Sequence, residues 1–147
     1  MRKDLYSNIK ASQLEIAAVK TTTVTSAAVD TAGFESLAII YDIGNSGDTL
    51  SGSIYWTLSL TESDVSGSGY TAVAAGDVQV QGGTFGTDST YVIDAPSEDS
   101  RTVKFGYTGS KRYVKALATA TGSHSSGTPI GIIAIQGDPA IAPQTAA

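Results

Sequence analysis

The chain holds one histidine, His124, flanked by serines in Gly122-Ser-His-Ser-Ser-Gly127. An imidazole beside a hydroxyl is the start of a Ser-His-Asp hydrolase, yet no nucleophile-elbow motif accompanies it and its Gly/Ser loop offers no partner to tune proton transfer. His124 is therefore expected to be a solvated loop residue, dispensable for folding. Oxygen ligands for calcium occur in Asp42-Ile-Gly-Asn-Ser-Gly-Asp48 and Glu62-Ser-Asp64. The first lacks EF-hand spacing and its terminal Glu, and turn chemistry accounts for both. Gly82-Gly83 and Gly67-Ser-Gly69 carry no phosphate-loop lysine and open no helix. With no cysteine, disulfides and thiolate metal sites are excluded. This reading assigns no catalytic residue, metal or cofactor.

Tyrosine is used seven times, and a surface cluster of such rings can bind carbohydrate or a protein partner. Tyr41 and Tyr107 fall on core-facing positions, which leaves Tyr55 as the better surface candidate; the loop 63–69 is a second feature that could serve a carbohydrate. Lys111-Arg112 is read as a solvated basic pair.

These residues must be positioned by strands. Residues 52–62 alternate, with Ile54, Trp56, Leu58 and Leu60 on one face and Ser53, Tyr55, Thr57, Ser59 and Thr61 on the other, the period that a pleated strand imposes. That face, holding the only Trp, is the expected core. Strands are also expected at residues 20–30, 37–43, 70–74, 77–80, 90–95, 101–107, 111–121 and 129–136, separated by Gly/Ser/Asp loops. Leu37, Ile39, Val103, Phe105 and Ile132 or Ile133 should join the core. The 129–136 run, Pro-Ile-Gly-Ile-Ile-Ala-Ile-Gln, reads as a strand buried on both faces. The fold class is all-β: a single-domain antiparallel β-sandwich or jelly-roll-like barrel with an N-terminal arm. The arm is placed at 1–20, the sandwich at 21–137 and a C-terminal tail at 138–147.

Composition agrees with that class. Of 147 residues 41% are hydrophobic, 16% charged and 16 are glycine, a mixture that suits strands and turns. The net charge of −5 argues against a nucleic-acid partner. The opening residues lack the apolar run of a secretory signal and no segment is long enough to span a membrane, so synthesis in the cytoplasm is expected. In the arm, Leu5, Tyr6, Ile9, Leu14 and Ile16 keep no clean period, and apolar residues without a seat on their own sheet mark an interface. The competing arrangement folds the arm back over an open edge of its own sandwich.

Several patches resemble a family of small accessory head proteins of tailed bacteriophages, of the decoration or capsid-stabilising type. They are Lys3-Asp-Leu-Tyr-Ser-Asn-Ile-Lys10, Val29-Asp-Thr-Ala-Gly-Phe-Glu-Ser36, Leu58-Ser-Leu-Thr-Glu-Ser-Asp64 with Tyr70-Thr-Ala-Val73, Gly109-Ser-Lys-Arg-Tyr-Val-Lys115, and Pro129-Ile-Gly-Ile-Ile-Ala-Ile-Gln-Gly-Asp-Pro139. The resemblance implies a non-enzymatic virion protein bound to the outer capsid surface, with the major capsid protein as partner. It carries over no catalytic residue. A homo-oligomer is expected, with the arm residues as contact candidates. The alternative is a carbohydrate-binding β-sandwich module of a phage tail or cell-surface protein.

Overall fold

The computed structural model describes residues 4–141. A short 3-10 turn at Tyr6–Asn8 leads into strands β1 (Ile9–Lys20), β2 (Val24–Thr25), β3 (Val29–Asp30), β4 (Phe34–Ile43), β5 (Tyr55–Ser63), β6 (Thr71–Ala72), β7 (Val78–Val80), β8 (Thr90–Ile93), β9 (Arg101–Tyr107), β10 (Tyr113–Thr121) and β11 (Thr128–Pro139). One sheet runs β1-β11-β4-β9-β7; the other centres on β10 and β5, with β2 and β3 against β10 and β6 and β8 against β5. Every pairing is antiparallel. The all-β sandwich expected from the alternation is the fold observed.

The core forms where the inner faces meet. Trp56, Leu58 and Leu60 are buried as the period of β5 requires, with Ile54 partly buried at the strand's start. Across the ladder Trp56 pairs with Ala120, Leu58 with Ala118 and Leu60 with Ala116, so β10 supplies small residues opposite the large ones. That volume match explains an alanine row on a strand, where alanine has little intrinsic preference. In the other sheet Leu37, Ile39 and Tyr41 of β4 pair with Tyr107, Phe105 and Val103 of β9, and all six are buried. Polar bonds cross between the layers: the Tyr41 hydroxyl lies 2.7 Å from the Ser59 carbonyl and 3.1 Å from that of Leu117.

Three expectations need correction. The segment read as a free arm is, from Ile9 onward, strand β1, hydrogen-bonded along β11 as the edge of its own sheet. Its missing period has a physical cause: register shifts between Gln13 and Glu15 and between Glu15 and Ala18 rephase the side chains. Leu14, at the first shift, turns into the core with 7% exposure, and its carbonyl accepts the Ala27 amide. That bond stitches β1 to the segment between β2 and β3 and partly closes this side of the sandwich.

The strand expected at 20–30 is split into β2 and β3. Between them the Ser26 side chain takes a backbone role, since Ser26 Oγ accepts the Ala116 amide while the Ser26 amide donates to the Ala116 carbonyl. The third correction concerns β11. It is flanked on both edges, but its outer face is not covered: Ile132 is buried, whereas Ile133 is 39% exposed. β11 also runs through Pro139, into the expected tail; residues 1–3 and 142–147 lie outside the described residues.

Candidate functional site

Two regions gather the residues that sequence reasoning singled out. The first is the corner where the loop 122–127 meets the loop between β4 and β5. Here His124 is not a solvated residue. It is 4% exposed, its ring tilted against the Trp56 indole at a centroid distance of 4.6 Å. Nε2 lies 3.0 Å from the Thr121 carbonyl and 3.3 Å from the Tyr55 carbonyl. Among the described residues Nδ1 has no hydrogen-bond partner, and it sits 3.7 Å from Asp48 Oδ2. The expectation of a solvated loop residue therefore fails, because residues far away in sequence build a pocket around the ring.

Asp48 is the clasp of this corner. Its carboxylate accepts the amides of Ser126 at 2.9 Å and Gly127 at 2.7 Å and the Ser125 hydroxyl at 3.3 Å. The Ser126 amide foremost, with the Gly127 amide and the Ser125 hydroxyl adding to it, holds the Asp48 carboxyl below the usual carboxylate range. Asp99 holds the Ser46 amide in the same way. Ser46 Oγ shares a hydrogen bond with Thr128 Oγ1, which also accepts the Trp56 Nε1 proton. Gly127 is needed at the joint: its φ is +79°, and a Cβ there would lie 2.6 Å from the Lys20 carbonyl oxygen. Both nitrogens of the ring face acceptors, and neither is bonded to a serine hydroxyl. The Asp48 carboxylate thus acts in holding a loop, Asp42 lies within β4, and among the described residues no three His, Asp or Glu side chains gather to hold a metal.

At the opposite end of β5, Glu62 accepts the Tyr107 hydroxyl and Asp64 pairs with Lys111. Burial, reinforced by the Glu62 carboxylate, pushes the Tyr107 hydroxyl well above the ordinary phenol range. Lys111 and Arg112 are not free, since Arg112 forks onto both Asp30 oxygens. Tyr55 is half-buried, and the Tyr70 ring beside the 63–69 loop already carries Lys115 Nζ at 4.2 Å from its centroid. A sugar stacking on that face of the ring would have to displace the ammonium.

The second region is the outer face of the five-stranded sheet and its N-terminal end. Of the arm candidates, Leu5, Tyr6 and Ile16 are 65%, 77% and 67% exposed, Ile9 is half-buried, and Leu14 is withdrawn into the core. Leu5 and Ile9 line a shallow groove with Ala38 and Ile135. From that groove the register sets Ala11, Ile135, Ala38 and Gly106 side by side across four strands, followed by Gln13, Ile133, Ile40 and Lys104. The first row holds no polar side chain. Sequence reasoning found the N-terminal residues of this surface but missed its continuation, because Ile133 and Ile135 sit within an unbroken apolar run.

No protein-family model matches the chain, and no curated protein matches it. Among solved structures it is similar to the SPBc2 prophage-derived protein YomS, with a TM-score of 0.53 and 11% identity over 89% of this chain and 94% of that one. At that identity the likeness is one of fold, extended over nearly the whole of both chains.

Proposed function

We propose that this chain is a structural protein of a tailed bacteriophage that seats on the outer surface of the capsid and stabilises or decorates it. The observations that carry the reading are the exposed apolar side chains of the N-terminal segment, Leu5, Tyr6 and Ile16, and the shallow groove in which Leu5 and Ile9 meet Ala38 and Ile135. Contiguous exposed apolar surface on a small domain marks a protein contact. The resemblance of the sequence patches to capsid accessory proteins supports the reading, as does a fold similar to that of a prophage-derived protein. On this reading the partner is the major capsid protein, the protein works as a homo-oligomer in the virion, and it performs no catalysis. The net charge of −5 fits a partner other than nucleic acid. The test is quantitative mass spectrometry of purified particles. A copy number in fixed proportion to the major capsid protein supports the reading; absence from the particle overturns it.

A further inference from the structure

The corner around His124 is more than packing. The Thr121 and Tyr55 carbonyls can only accept, so Nε2, at 3.0 Å and 3.3 Å from them, must carry a hydrogen in either charge state of the ring. In the neutral ring Nδ1 is then a bare lone pair. It is buried, has no donor among the described residues, and faces Asp48 Oδ2 at 3.7 Å. Two acceptors confront each other at a buried nitrogen. A proton on Nδ1 turns that mismatch into a charge-assisted contact.

The surroundings make Asp48 the partner that counts. From β5 the ring meets the uncharged Trp56 indole and the Tyr55 carbonyl, and from β10 the Thr121 carbonyl. From the loop between β4 and β5 it meets the Asp48 carboxylate. Lys20, whose carbonyl lies against Gly127, turns its ammonium to Glu15 instead. Asp48 is also the group that clasps the loop through Ser125, Ser126 and Gly127. That loop is bounded by Gly122 and Gly127, both at positive φ.

We propose that His124 and Asp48 form a proton-operated latch, in which uptake of a proton at Nδ1 tightens the 122–127 loop onto the end of the sandwich and its loss loosens the loop. The device lies apart from the surface assigned to the capsid and does not depend on that assignment.

The test follows the ring nitrogens by ¹⁵N nuclear magnetic resonance in the intact protein, together with amide exchange of Ser126 and Gly127, as the medium is taken from mildly alkaline to acid. The expected result is an Nε2–H tautomer at the high end, a proton gained at Nδ1 on acidification, and loop amides whose opening equilibrium falls about threefold to tenfold, as a charge contact of about 1 kcal/mol gives. Asp48→Asn should abolish that change. An Nδ1–H tautomer at high pH overturns the proposal, and so does a ring that stays neutral throughout or a loop that opens more on acidification. The measurement on the unaltered protein decides the matter even where the variant folds poorly.

Discussion

Trp56 Nε1 donates to Thr128 Oγ1 at 3.0 Å, so the largest side chain of one sheet is tied to the first residue of β11 in the other. The same hydroxyl reaches Ser46, and the chain of polar contacts closes the core at the end that His124 covers. Thr128→Val keeps the shape of the side chain while removing the acceptor. The buried indole N–H would then be unpaired, which costs about 1–3 kcal/mol. Denaturant titration should show a lower midpoint with an unchanged slope.

Tyr41 gives a second cross-sheet tie, and it has a pH signature. Burial raises its hydroxyl far above the ordinary phenol value of 10.0. With the folded value above the unfolded one, the contribution is complete below pH 10.0 and is lost as the pH rises beyond it. Tyr41→Phe should lower stability by about 1 kcal/mol at neutral pH. It should also flatten the alkaline fall measured by thermal unfolding.

Asp48 behaves in the opposite sense. Its carboxyl lies below the ordinary 3.8, chiefly through the Ser126 amide, so its contribution is present above that value and lost as the pH falls through the folded one. Asp48→Asn should lower the melting midpoint at neutral pH and reduce the gap between neutral and acid midpoints. An unchanged acid profile in the variant would show that the clasp does not hold the loop.

His124→Ala should destabilise the fold by about 2 kcal/mol, since it empties a buried space beside Trp56 and frees two carbonyls. Thermal unfolding compared with Ser123→Ala, an exposed neighbour, separates this from a general loop effect.

The core was legible where one period ran unbroken. The alternation of β5 placed Trp56, Leu58 and Leu60, and that of β4 and β9 placed Ile39, Tyr41, Val103 and Phe105, all of them buried. It failed where a local device interrupted the ladder: two register shifts disguised β1, and the Ser26 hydroxyl divided β2 from β3. The His124 site was illegible for another reason. A Gly/Ser loop looks solvated in isolation, and its burial comes from Asp48, Tyr55 and Trp56, which only the folded sheets bring alongside.

The position of Leu14 changes how the capsid reading must be tested, because truncating β1 would strip the edge of β11 and open the core. Single substitutions separate the roles. Leu14→Ala should cost about 2–5 kcal/mol. Leu5→Ser, Tyr6→Ser and Ile16→Ser, on exposed positions, should together leave the melting midpoint nearly unchanged, as surface changes usually stay within about 0.5 kcal/mol each.

Co-sedimentation with purified capsid shells is the direct measurement, made on the unaltered protein and on the Leu5→Ser, Tyr6→Ser, Ile16→Ser variant. The expected result is saturable, stoichiometric retention of the unaltered protein, with retention lost in the variant while its melting midpoint holds. A folded, unaltered protein that fails to bind shells at any concentration would contradict the capsid reading, and a variant retained at full occupancy would contradict the surface assigned to it.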